Sequence, residues 1–145
     1  MNIRVSSHTR FLLDANVLAG VFLGRRGAVT LVDPWITHQE AATSILVYGE
    51  VVEYAMGFAD YARRLVHLRT LLHTIPAYPV TYEIMERYAA LRRAMRLSSS
   101  GLIGDVDTLI AATALEHELT VVTTDTDFMR VPGLRSHVIP LSTIK

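Results

Sequence analysis

The 145-residue chain contains no cysteine, so disulfides, thiolate metal ligands and a cysteine nucleophile are excluded. Lysine is nearly missing too: Lys145 is the only one, and every other residue among the 14 basic ones is arginine. Arginine suits bidentate phosphate contacts, although a GC-rich coding sequence would produce the same bias. There is no excess of either charge, since acidic residues also number 14 and the net charge is zero. That balance lends no support to a strongly basic nucleic-acid binder, but leaves room for an enzyme that meets phosphates locally. No apolar run approaches the roughly 18 residues of a membrane span, so none is expected. The opening "MNIRVSSHTR" lacks a long apolar core and does not read as a secretory signal. A cytoplasmic location is the expectation.

What is present is a globular composition, 50% hydrophobic and 19% charged. At this length a single domain with its own core is expected. Arg10 to Leu13 reads as a buried strand and Asn16 to Leu23 as a helix closed by "GRRG". A short helix around Ala28 to Val32 is expected to stop near Asp33-Pro34. A strand near Thr43 to Ile45 leads into a helix from Leu46 to Phe58, and Asp60 is placed to cap the next helix, through Leu72. "TIPAYPV" reads as an edge strand because of its prolines. A helix from Thr81 to Met95, a loop from Ser98 to Gly104 and a helix from Asp105 to His117 follow. "LTVVT", a turn with a short helix, and "SHVIPL" complete the chain. Strands alternating with helices predict an α/β fold with a short, mainly parallel sheet flanked by helices on both faces.

Ligands of open parallel sheets bind beyond the carboxyl ends of the strands. Asp14 ends the first strand, Asp125 follows "LTVVT", Glu50 lies early in the helix after the second strand, and Asp107 opens the helix before "LTVVT". Singly, each has a plain structural reading. Asp14 can cap a helix, Asp105 is a natural N-cap, Asp107 suits a helix dipole, and Asp125 and Asp127 suit a turn. Glu50 resists such a reading because it sits beside an apolar stripe, where an unpaired carboxylate is costly. Together, four acids from four segments can converge at one rim, and such a cluster repels itself without cations. Hard divalent ions, Mg²⁺ or Mn²⁺, match an all-carboxylate site. The six histidines show no metal-site spacing, and no P-loop or nucleophile elbow occurs.

On these residues the chain resembles PIN-domain ribonucleases, and within them the VapC toxins of toxin–antitoxin modules. "LLDANVL" looks like the first motif of that family, "SILVYGEVVEYA" the second, and "GDVDTLIAATALEHELTVVTTDTDF" the third and fourth run together. The resemblance covers Arg10 to Leu141 and makes residues 1–145 a single PIN domain, a three-layer fold. It implies that Asp14, Glu50, Asp107 and Asp125 are the catalytic, metal-holding quartet. Asn16 supports the first aspartate, Thr123 helps to organise the site, and Asp127 is a more peripheral acid. Asp105 matches no usual ligand position and is read as a helix cap beside the site. Two departures stand out: Ala15 where threonine is common, and Thr124 where arginine is common.

The resemblance further implies homodimers, Mg²⁺- or Mn²⁺-dependent hydrolysis of RNA to 5′-phosphate products, and a VapB-type antitoxin that blocks the acidic site. The helix faces of Val47 to Phe58 and Tyr61 to Leu72 either form a groove for a partner helix or are ordinary core. Arg25 and Arg26 are candidates for the RNA backbone. Two rivals remain. One is a PIN fold kept for binding alone. The other is a haloacid dehalogenase-like phosphatase, suggested by Asp105-x-Asp107 but lacking the preceding strand and the lysine. Target RNA, number of metals and the antitoxin's identity are not legible in the sequence.

Overall fold

The computed structural model describes residues 8–145; the reading of the first seven residues lies outside the described residues. Five strands form the sheet: β1 (Phe11–Leu13), β2 (Ala41–Ser44), β3 (Ala77–Tyr78), β4 (Thr120–Thr123) and β5 (Ser136–Val138). All pairings are parallel, in the order β3-β2-β1-β4-β5. Six helices flank it: α1 (Ala15–Phe22), α2 (Arg26–Thr37), α3 (Ile45–Ala55), α4 (Tyr61–Leu71), α5 (Tyr82–Leu97) and α6 (Asp105–Glu116). A 3-10 turn, Thr126–Arg130, joins β4 to β5, and another, Leu141–Ile144, ends the chain. The α/β fold with a parallel sheet is as expected, and the proline-bounded β3 is indeed an edge.

The strand order locates the site. From β1 the chain steps outward to β2 and β3, then crosses back to place β4 on the other side of β1. Right-handed crossovers in opposite directions put their helices on opposite faces. The crevice where the direction reverses lies between β1 and β4, at the carboxyl ends carrying Asp14 and Asp125. Beneath it the core is continuous through Leu12, Leu13, Val17, Val47, Ile110, Val121 and Val122, all essentially buried.

One expectation fails. The helix placed at Ala28 to Val32 does not stop at Asp33-Pro34 but runs on to Thr37, with Pro34 inside it. A proline there removes one helical hydrogen bond and crowds the preceding turn. Packing prevails: Val32 is buried, and Trp35 stacks on Phe11 with ring centroids 4.1 Å apart. The last turn keeps the bond from His38 N–H to the Pro34 carbonyl at 3.1 Å. The chain end is docked on the same helix. Gly27 donates its N–H to the Lys145 carbonyl, and a Cβ at Gly27 would stand 1.9 Å from the Thr143 carbonyl oxygen. Among the described residues no single helix is long and apolar enough to cross a membrane.

Candidate active site

Asp14 is delivered to the rim by β1. Its N–H donates to the Val122 carbonyl of β4 at 2.9 Å, and its own carbonyl accepts from Val17 and Leu18 in the first turn of α1. Its side chain caps nothing in that helix. Instead one carboxylate oxygen accepts from the Thr123 hydroxyl at 2.6 Å, and the residue is 9% exposed. Burial, the largest cause, raises its pKa above the ordinary carboxylate value; the Thr123 hydroxyl and the Ala15 backbone N–H oppose this, and Asp125 adds repulsion.

Thr123 is the joint of the site. Its hydroxyl donates to Asp14 and accepts the Asp125 N–H at 3.0 Å, tying the ends of β1 and β4 together. Asp125 accepts from the Asp127 N–H at 2.8 Å with one oxygen, so it is a turn residue as well as a rim acid. Asp127 stands 3.5 Å from Arg130, which also donates to the Ser100 carbonyl of the loop before α6.

Glu50 and Asp107 come from the two faces. Ser44 caps α3 by accepting the Leu46 N–H at 2.9 Å, and the helix then carries Glu50 at the margin of the buried Val47, Val51 and Ala55 stripe. The Glu50 pKa rises from 4.5 to about 7, first through burial and then through repulsion by Asp14, Asp107 and Glu53. Asp107, in the first turn of α6, rises from 3.8 to about 6, through burial and then through Asp14, Asp125 and Asp127. Asp14 repels Glu50 and Asp107, and Asp125 repels Asp14 and Asp107, so the four acids are linked in one field. Among the described residues none of the four forms an ion pair.

The supporting residues divide. Asn16 does not bond Asp14; its amide donates to the Thr124 hydroxyl at 2.8 Å, so the threonine that replaces a common arginine has a structural partner. Asp105 is not the N-cap expected of it. Gly104 holds that position, and Asp105 pairs with Arg92 of α5 and accepts from Tyr88. An arginine within reach outcompetes a helix end that Gly104 already starts. Glu53, one turn further along α3, is exposed and is a solvated charge.

The donor set fits a hard divalent ion in its chemistry: oxygen ligands only, two carboxyls with strongly raised proton affinity, and no ion pair among the described residues to relieve them. As they stand, no three Asp, Glu or His side chains among the described residues are arranged to hold an ion. Beside Glu50 opens a cleft of about 250 Å³ lined by Ala15, Asn16, Ala19, Arg25, Val51 and Tyr54. Tyr54 belongs to the apolar stripe beside Glu50 and stands four residues after it, a spacing that puts both on one helix face.

Comparison with solved structures finds the same fold in toxin–antitoxin complexes. The VapBC complex of Salmonella typhimurium bound to DNA aligns with a TM-score of 0.79 at 18% identity, covering 90% of this chain and 98% of the other. VapBC2 of Rickettsia felis, bound to a promoter DNA fragment, gives 0.78 at 19%, covering 90% and 99%. A toxin–antitoxin complex from Klebsiella pneumoniae gives 0.68 at 27%, covering 90% and 100%. No curated protein sequence matches the chain. The PIN domain model matches residues 11–134, which hold all four rim acids, and the chain belongs to the PIN domain family.

Proposed function

We propose that the chain is a toxin-type endoribonuclease that hydrolyses RNA phosphodiester bonds with one or two Mg²⁺ or Mn²⁺ ions. The observation that carries this reading is the set of four carboxylates at the β1/β4 switch point, repelling one another and, among the described residues, in no ion pair. A cluster of that kind is stabilised by hard cations, and phosphate is the substrate that such a centre attracts.

Asp14, Glu50, Asp107 and Asp125 would hold the metal, directly or through water. The chemistry supplied by a bound ion of this kind is activation of water for in-line attack on phosphorus and stabilisation of the departing 3′-oxygen, leaving a 5′-phosphate. Thr123 fixes the Asp14 carboxylate and the Asp125 backbone relative to each other, so two of the four ligands stay in register. Glu50 and Asp107, more loosely held, lose their protons to accept the charge. Asp105, neutralised by Arg92, and Asp127, facing Arg130, stay outside the quartet.

The named complexes among the structural neighbours support a VapB-type antitoxin as partner, and homodimer formation belongs to the same reading. Tyr54, Met56, Tyr61 and Val66 leave an exposed apolar margin around α3 and α4, suited to an amphipathic helix.

The test is incubation of total RNA with purified, antitoxin-free protein in Mg²⁺, Mn²⁺ or EDTA, beside Asp14→Asn. The expected result is discrete fragments with 5′-phosphate ends that require the metal and vanish in the variant. Folded protein that cuts nothing under any condition would overturn the nuclease reading and favour a PIN fold that only binds.

A further inference from the structure

We propose that the cleft between α1, the start of α2 and α3 receives one unpaired nucleotide of a single-stranded RNA, its phosphate on Arg25 and its base against the ring of Tyr54. The inference rests on the nuclease reading and deepens it by naming the substrate's form. Glu50 is at once a rim acid and a wall of this cleft. A strand whose scissile phosphate sits at the acids therefore sends a neighbouring nucleotide into it.

The lining is divided by chemistry. Ala15, Ala19 and Val51 offer small apolar surface and leave the space open. Tyr54 is 46% exposed and packs with Phe58 as a T-shaped pair, with ring centroids 5.4 Å apart at 81°. Nearly half of the residue is thus open to a base. Arg25 is exposed and, among the described residues, forms no ion pair, whereas Arg63 and Arg64 are tied to Asp60 and Arg92 to Asp105.

About 250 Å³ is room for a single base with its sugar, not for a duplex. A stacked duplex base presents no face to an aromatic ring, so an unpaired strand is the form that fits.

Steady-state cleavage of a single-stranded RNA oligonucleotide by wild type, Arg25→Ala, Tyr54→Ala, Tyr54→Phe and the distant Arg93→Ala tests the assignment. Tyr54→Ala is expected to raise KM roughly tenfold with kcat within about twofold, and Tyr54→Phe to restore it, as base stacking requires. Arg25→Ala is expected to raise KM and to lower the salt slope of binding by about 0.7, the loss of one phosphate contact. Arg93→Ala should match wild type. Equal KM in all variants, or failure of Tyr54→Phe to rescue, overturns the subsite while cleavage itself upholds the nuclease. Should wild type cut nothing, fluorescence anisotropy of a labelled RNA hexamer, in EDTA and in calcium, decides separately. Binding weakened by Tyr54→Ala and Arg25→Ala supports the subsite, and no difference, or weakening only of antitoxin capture, overturns it.

Discussion

Removing one charge from the rim should stabilise the metal-free protein. In Asp14→Asn the amide oxygen still accepts the Thr123 hydroxyl, so the buried joint persists. What disappears is a desolvated carboxylate that repels Glu50 and Asp107. Glu50 is raised from 4.5 to about 7 and Asp107 from 3.8 to about 6, and a tenfold change in proton affinity corresponds to about 1.4 kcal/mol. Burial, the largest cause of both, survives the substitution, and both side chains are partly exposed, so solvent screens the Asp14 share. About 0.5 kcal/mol for each partner, plus relief of the charge buried at position 14, less a weaker bond to Thr123, leaves a gain of about 1–2 kcal/mol. For a chain of this size that is about 3–6 °C in Tm. The gain has a pH window. Folded-state pKa values raised above the unfolded ones confer stability below the unfolded values, lost as pH rises through about 6 to 7. The substitution should therefore matter at pH 8 and fade toward pH 4. Circular-dichroism melts in EDTA across that range measure it. An Asp14→Asn protein less stable than wild type at pH 8, or a gain that persists undiminished at pH 4, would refute the reasoning.

Thr123→Val keeps the shape but strips the Asp14 carboxylate of its hydroxyl donor and the Asp125 amide of its acceptor; a loss of about 1–3 kcal/mol by urea denaturation is expected, together with a lower cleavage rate. Gly27→Ala forces a methyl onto the Thr143 carbonyl and should cost about 1–3 kcal/mol in the same assay, with cleavage unaffected at temperatures where the protein is folded. Cleavage should rise with pH through about 6 to 7, because Glu50 and Asp107 must lose their protons to hold a cation. More Mn²⁺ should move that limb to lower pH, and a limb indifferent to metal concentration would speak against these two groups as ligands.

Much of this site is legible because strand ends are legible. "FLLDAN" and "VVTTDTD" each drive an apolar strand into an aspartate, and the parallel α/β pattern already says which rim those aspartates share. Glu50 is legible from its apolar neighbours, whereas the Ser44 cap, which starts the helix at Ile45 where a strand was expected, is set by the end of β2. Other features depend on contacts across the fold that no local pattern encodes. Trp35 on Phe11 carries α2 through Pro34. Arg92 reaches from α5 to take Asp105 away from capping. The bond from Asn16 to Thr124 joins the first turn of α1 to the turn after β4, which meet only because β1 and β4 are neighbours. Arg25 and Tyr54 come together in the same way, from separate elements across α1.

The central claim is that the rim carboxylates form one cation site. Calorimetric titration of the metal-free protein with Mn²⁺ near pH 6.5, in buffers of different ionisation enthalpy, tests it most directly. The account predicts saturable binding that releases protons from Glu50 and Asp107, and severe weakening in Asp14→Asn, Glu50→Gln, Asp107→Asn and Asp125→Asn. Absence of binding, or binding that all four substitutions leave unchanged, would contradict it.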